Sequence, residues 1–229
     1  TNRIGTDDGD EFGFAIAGGA DVDQVAGASP SYDDVVVGAP FEDDGADADV
    51  GKVYFFSGNS LLSSPTSVTF TGENAGDYAG YSVAVCDDVT GDGIGDIVIG
   101  APGYDDSTTG GEGKVYVIEG DGSGFPSSLA LGTTGSVAAT FVGPASSYAG
   151  TAVGCADVDG DSVQEAIVGT PGYNSGSGAV YVLQGGMSGS VDDEYVAFYE
   201  SASNRHLGVG IHSLFDYDGD GLEDWMSTT

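Results

Sequence analysis

Short runs rich in Val, Ile, Tyr and Phe recur along all 229 residues, and Gly, Pro, Ser and Asp bound each of them. Apolar and polar positions alternate clearly in "KVYVI" (114–118) and "AVYVL" (179–183). A period of two is that of a β-strand, with successive side chains on opposite faces. No 3.6-residue period holds for two turns, and Gly recurs too often for long helices. Whole phrases also repeat. "DVVVGAP" (34–40), "DIVIGAP" (96–102) and "EAIVGTP" (165–171) are versions of one another, and "DWMSTT" (224–229) starts a fourth; their starts lie 62, 69 and 59 residues apart. "GKVYFFSG" (51–58), "GKVYVIEG" (113–120) and "GAVYVLQG" (178–185) follow in the same order. Four short strands in each tandem unit of about 60 residues is the pattern of propeller blades, whereas β-solenoid repeats are usually much shorter. The sequence therefore predicts an all-β propeller of four-stranded antiparallel blades, with the "GAP" phrases on second strands. Three units are expected at about 12–72, 79–143 and 149–200, with a partial one over 207–229. "RIG" (3–5) reads as the tail of a strand from a preceding blade. Three and a half blades do not close a ring, so the reading is a portion of a longer chain; the alternative is that another copy supplies the missing strands.

Charge changes the picture next. Lys and Arg total 4 against 37 Asp and Glu, a net charge of −33. Such a surface excludes nucleic acid and an anionic membrane face as partners, and fits a protein that holds cations or works in concentrated salt. No apolar run approaches the ~18 residues of a spanning helix, so no membrane insertion is expected in this stretch.

The acidic residues are concentrated at one place in the repeat. "DVTGDGIGD" (88–96), "DVDGDSVQE" (157–165) and "DYDGDGLED" (216–224) each lie between a first and a second strand. Counting from the first acid, positions 1, 3, 5 and 9 hold Asp88, Thr90, Asp92 and Asp96; Asp157, Asp159, Asp161 and Glu165; and Asp216, Asp218, Asp220 and Asp224. Calcium takes six to eight oxygens at about 2.3–2.6 Å, and acids at alternate positions of a tight loop can converge on it, as in the first half of an EF-hand loop. A backbone carbonyl at position 7 (Ile94, Val163 or Leu222) is expected to add a ligand. Glycine at position 4 (Gly91, Gly160, Gly219) and position 6 (Gly93, Gly221) lets the loop curl, while Ser162 at position 6 of the third unit implies slight strain. A solvated acidic turn would explain one such loop but not three at equivalent places. Magnesium prefers a rigid octahedron with retained waters, and the loops carry no His or Cys for zinc. About three Ca²⁺ sites are expected. The first unit departs from the pattern: "DVDQVAGASPSYDD" (21–34) keeps Asp21 and Asp23 but has Val25 at position 5 and a longer path to Asp34, and is expected to be degenerate and empty.

The order of these features resembles the FG-GAP repeat of the integrin α-subunit propeller. "FG" stands at Phe12-Gly13, with Ala79-Gly80, Ala149-Gly150 and Leu207-Gly208 in the other copies; "GAP" stands at 38–40 and 100–102, with "GTP" at 169–171. The resemblance covers nearly the whole chain. It implies a β-propeller, usually of seven blades, that is extracellular or at the cell surface and carries calcium in hairpin loops on one face.

The remaining residues add little chemistry. Cys86 and Cys155 fall in the first strands of adjacent units, and two separate buried thiols are expected, with a disulfide as the alternative, because first strands of neighbouring blades are taken to lie beyond disulfide reach. His206 and His212 have no partner nucleophile in the pattern and read as packing or surface residues. Tyr54, Tyr116 and Tyr181 share one strand position and read as packing between blades, and Trp225 reads as core. No catalytic constellation is present, so the expectation is a non-catalytic module for adhesion, engaging a protein or glycan ligand. The alternatives are a structural subunit that binds copies of itself in an extracellular assembly, and the non-catalytic propeller of a secreted hydrolase.

Overall fold

The computed structural model describes residues 9–24, 32–58, 67–106, 110–120, 122, 125–133, 137–191, 195–202 and 205–229. "RIG" near the start and Val25 lie outside them. Among the described residues the chain is all β apart from one four-residue helical turn, Tyr173–Gly176. The first blade is β1 (Ala15–Gly18), β2 (Val35–Ala39), β3 (Lys52–Phe56) and β4 (Ser67–Thr71), paired antiparallel in that order. The second is built from β5 (Ser82–Cys86), β6 (Asp96–Ala101) and β7 (Lys114–Ile118). It then sends out a short β8 (Ser128–Ala130) before its outer strand β9 (Ala139–Val142). The third follows the same plan with β10 (Ala152–Ala156), β11 (Glu165–Thr170), β12 (Ala179–Leu183), the short β13 (Gly189–Ser190) and β14 (Tyr195–Glu200). The partial unit is the hairpin β15 (Gly210–Phe215) and β16 (Asp224–Thr228). Among the described residues the sheets stand side by side as propeller blades and do not close into a ring, and the "GAP" phrases lie on second strands, as the repeat order predicts.

The short strands β8 and β13 are an addition that the sequence did not signal. Each leaves its own unit and pairs parallel with the outer strand of the preceding blade, β8 on β4 and β13 on β9. Both cover an outer edge that would otherwise present unpaired backbone groups.

Packing between blades uses the period of two. Ile97 and Ile99 of β6 face the first blade, packed with Val36, Val53 and Phe70, whereas Val98 faces the third, packed with Val153 and Val168. A strand with a blade on each side is buried at every position, as β6 and β11 are. Tyr116 is wholly buried in this packing, and its hydroxyl donates to Glu73 of the preceding unit at 2.8 Å; Lys114 pairs with the same carboxylate.

The repeated glycines follow from how closely the blades approach. A Cβ on Gly100 would lie 2.1 Å from the carbonyl oxygen of Gly150, and one on Gly38 would lie 2.0 Å from that of Gly80. The glycine of each "GAP" phrase therefore leaves room for the "FG" glycine of the next blade. That second glycine has φ of +86° at Gly80 and +84° at Gly150, a conformation other residues adopt at a cost.

One expectation is overturned. Cys86 and Cys155 form a disulfide, with Cα atoms 6.0 Å apart. The inner strands β5 and β10 converge more closely than the sequence reading assumed, within the range a disulfide spans.

Candidate metal-binding loops

The connections from first to second strand share one hydrogen-bond scheme. The position-1 carboxylate accepts from the backbone N–H groups of positions 4 and 6: Asp88 from Gly91 and Gly93, Asp157 from Gly160 and Ser162, Asp216 from Gly219 and Gly221. Its geometry closes the loop into a ring around one acid. The position-5 carboxylate accepts from the N–H of position 7, at 2.8 Å for both Asp92–Ile94 and Asp161–Val163, and 2.9 Å for Asp220–Leu222. Position 6 has positive φ throughout, and Ser162 adopts +76° where its counterparts are glycines, so the strain expected there is present.

The position-9 acid begins the second strand and ties loop to blade. Asp96 accepts from Val89 and Thr90 with one oxygen and from Gly120 on the third strand with the other. Glu165 does the same with Val158 and Gly185, its longer side chain reaching the equivalent place. Burial raises the pKa of both carboxyls despite these bonds, because removal from water penalises the ionised form.

Positions 1, 3 and 9 are the ones brought together. Asp157, Asp159 and Glu165 offer oxygens within 4.8 Å of one another, and so do Asp216, Asp218 and Asp224. Asp161 and Asp220 are outside these trios. The second-unit loop has the same backbone scheme but places the neutral Thr90 hydroxyl at position 3, 3.4 Å from Asp96.

The first unit carries the third trio. Asp21, Asp23 and Asp34 also present oxygens within 4.8 Å of one another. Asp34 accepts from Val22, Asp23 and Gly58, the counterparts of the donors to Asp96. Sequence spacing concealed this, because Asp34 follows a longer connection; the signal available was its place directly before the "VVVGAP" strand. A fourth acidic group, Asp105, Asp106 and Glu112, follows the opposite end of β6 and was not singled out from the sequence.

The loops also touch their neighbours. The backbone N–H of Gln164 donates to the carbonyl of Asp88, and that of Glu223 to the carbonyl of Asp157. The position-8 side chains repeat the link, Gln164 to the N–H of Asp87 and Glu223 to that of Asp157. Successive loops are thereby stacked along one end of the blades.

The other end carries aromatics. Phe14 packs on Tyr81 at 4.8 Å and on Phe41 at 6.0 Å, and Phe41 packs on Tyr78 at 5.4 Å. Tyr78, Tyr81 and Tyr148 line a shallow hollow of about 270 Å³ with Pro102, Gly103 and Thr151. Phe14 is 44% exposed and Tyr148 49%. Glu11, Tyr78, Tyr148 and His206 take positive φ at equivalent places ahead of the four first strands. His206 hydrogen-bonds through Nδ1 to the carbonyl of Pro171 and His212 is exposed on β15. Trp225 is half-buried against Tyr199.

Parts of the sequence are similar to known proteins. The model of the FG-GAP repeat matches residues 79–118 and 149–183. Integrin alpha-4 of Xenopus laevis is 28% identical over 201 residues, covering 86% of this chain and 18% of that protein. Integrin alpha-5 of the same organism is 28% identical over 224 residues, 93% of this chain and 19% of that one. Phosphatidylinositol-glycan-specific phospholipase D of Mus musculus is 32% identical over 143 residues, 60% of this chain and 17% of the enzyme. The chain thus spans under a fifth of the length of each of these three proteins.

Proposed function

The chain carries FG-GAP repeats and is similar to integrin alpha subunits, and on that premise we propose that it is a calcium-binding, non-catalytic propeller module that engages a protein ligand outside the cell. The observation that carries the metal reading is the recurrence of one carboxylate trio at one place in the repeat. The donor set is all oxygen, which suits a hard cation of flexible geometry such as Ca²⁺. Positions 1, 3 and 9 are proposed as its anchors: Asp88, Thr90 and Asp96; Asp157, Asp159 and Glu165; Asp216, Asp218 and Asp224. Position-5 acids Asp92, Asp161 and Asp220 and the backbone carbonyls of Ile94, Val163 and Leu222 complete the shells. Stacked as they are, the loops would be stiffened together by bound ions. The disulfide suits an oxidising, extracellular compartment. No helix among the described residues is long and apolar enough to cross a membrane.

The aromatic end favours a ligand-binding module over a purely structural one. Exposed aromatic rings held by rigid blades are the kind of surface on which protein interfaces concentrate their affinity. The similarity to the phospholipase D supports a second reading, the non-catalytic propeller that accompanies a hydrolase. The metal reading is tested by titrating calcium into chelator-stripped protein by calorimetry. Saturable binding of about three ions is expected, and an absence of heat at millimolar calcium would overturn it.

A further inference from the structure

We propose that the outer edge of β14 is a docking site for an extended segment of a partner protein, which adds to the third blade as a parallel strand. The inference concerns the rim of the blades, not the acidic loops or the aromatic end, and does not depend on the calcium reading. Two observations carry it. The first is what covers the other outer edges. β8 pairs with β4 and β13 with β9, both parallel. β14 holds the same place in the third blade, and its register on β12 matches: Thr69, Thr140 and Phe198 lie opposite Tyr54, Tyr116 and Tyr181. The strand ends agree as well, since the N–H of Ser201 donates to Gly178 as that of Gly72 does to Gly51 and that of Gly143 to Gly113. Backbone groups alternate in direction along a strand. Phe198 and Glu200 therefore turn theirs away from β12, just as Thr69 donates to Ser127 and Thr71 accepts from Leu131. β14 ends its sheet, and no strand among the described residues pairs with that edge.

The second observation is what those covering strands bring. Ser128 and Leu129 pair with Thr69 and Phe70. Ser190 pairs with Thr140, and Val191, which follows it, donates its N–H to Thr140 and is buried in one cluster with Phe141. Each strand thus lays a serine beside a threonine and then an aliphatic residue by a phenylalanine. Phe70 and Phe141 are 0% and 1% exposed. Tyr199 holds their position, opposite Val180 as they lie opposite Val53 and Val115. Trp225 packs on its ring, yet Tyr199 is 49% exposed. The edge therefore fits a segment with a small polar residue followed by an aliphatic one, the latter lying beside Tyr199. Outward backbone groups supply the hydrogen bonds of an added strand, and the alternating side-chain positions supply selectivity. The segment is neutral or basic, because Glu200 stands exposed at the end of β14 in a chain of net charge −33. Neither β8 nor β13 carries a charged residue.

The probe is a capped synthetic peptide of residues 126–132, which contains β8, added to the whole chain. Hydrogen exchange is followed residue by residue by NMR. The expected result is slower exchange at the amides of Phe198 and Glu200, with no change at Thr69 and Thr140, whose edges are already paired. The slowing should be lost when the peptide carries Leu129→Asp, and lost in the chain variant Glu200→Pro. That proline removes an outward N–H at an edge position, where proline is tolerated. Unchanged exchange at Phe198 and Glu200 in millimolar peptide overturns the proposal. So does slowing confined to Tyr78, Tyr81 and Tyr148, which would put the peptide on the aromatic end and leave that reading standing. Slowing that survives Leu129→Asp overturns it too, because the aliphatic residue would then not lie beside Tyr199. Should Glu200→Pro not fold, the two peptides compared on the parent chain decide.

Discussion

The loop at 216–224 has an acid at positions 1, 3, 5 and 9 and glycine at positions 4 and 6, yet Asp216 and Asp218 stand exposed. The first-unit loop lacks the middle acid and takes a longer path, yet Asp34 is wholly buried and Asp23 nearly so. The difference lies in what surrounds each loop. The first is covered by the turn of the second blade through Gly93 and Gly95, whereas among the described residues the last is met only from the side of Asp157. Motif completeness tells which side chains can ligate a cation. Burial tells how costly it is to leave them without one. The two vary independently along this chain, so ranking sites by motif alone puts the first loop last.

The largest effect expected from this contrast is on cation removal. At about 1 mM calcium and a Kd of about 0.1 mM, each site contributes roughly 1.4 kcal/mol, and three contribute about 4 kcal/mol. Thermal unfolding in EDTA should shift down by about 10 °C on that basis. Hydrogen exchange sharpens the comparison: with calcium stripped, the amides of Val22 and Asp23, which donate to the buried Asp34, should stay better protected than those of Tyr217 and Asp218, which donate to Asp224. Equal protection would erase the distinction between a covered and an open loop.

Next in size is removal of the strand-start acid. Asp34→Ala strands three backbone donors at a buried place and should cost about 3 kcal/mol. Asp224→Ala strands two donors at a half-buried one and should cost about 1 kcal/mol. Denaturant titration measures both, and similar costs would break the comparison.

Much of this architecture is legible in the sequence because it depends on repetition. The "GAP" strands, the alternation of "KVYVI" and the acids of three loops lie at fixed offsets, and the same local forces act each time. What escaped depends on distances between units. The Cys86–Cys155 disulfide follows from how tightly β5 and β10 approach, and the sheet extensions β8 and β13 follow from which outer edge lies within reach of a passing segment. Asp34 escaped as a partner of Asp21 and Asp23 because its spacing along the chain is unlike that of Asp96, although its place in the fold is the same.

A smaller effect concerns pH in the cation-free protein. Burial, with a further contribution from the charge of Asp23, pushes the Asp34 carboxyl up to about 6. Its pKa when unfolded is near 3.9. The folded state therefore holds the proton more tightly, and the resulting stability is complete below about pH 4 and lost as pH rises through 6. Acidifying the EDTA-treated protein from pH 7 to 5 should stabilise it by about 1 kcal/mol from this group. Asp77, buried and likewise raised to about 6, acts in the same direction. Asp34→Asn should flatten its share of the slope; an unchanged slope would remove Asp34 from the account.

The smallest effect is expected at position 5. Asp161→Asn keeps an oxygen for the N–H of Val163, and Asp161 stands outside its trio. Calcium affinity of the third loop should fall by less than tenfold, about 1.4 kcal/mol, and by more in Asp159→Asn. Calorimetric titration of the two variants orders them, and the reverse order would show that position 5, not position 3, anchors the ion.

The central claim is that the acids at positions 1, 3 and 9 converge in order to hold a cation. It is tested most directly by locating calcium through anomalous scattering in crystals grown at millimolar calcium. The account predicts a peak bonded to Asp157, Asp159 and Glu165, and another bonded to Asp216, Asp218 and Asp224. Well-ordered loops with no anomalous peak at either trio would contradict it.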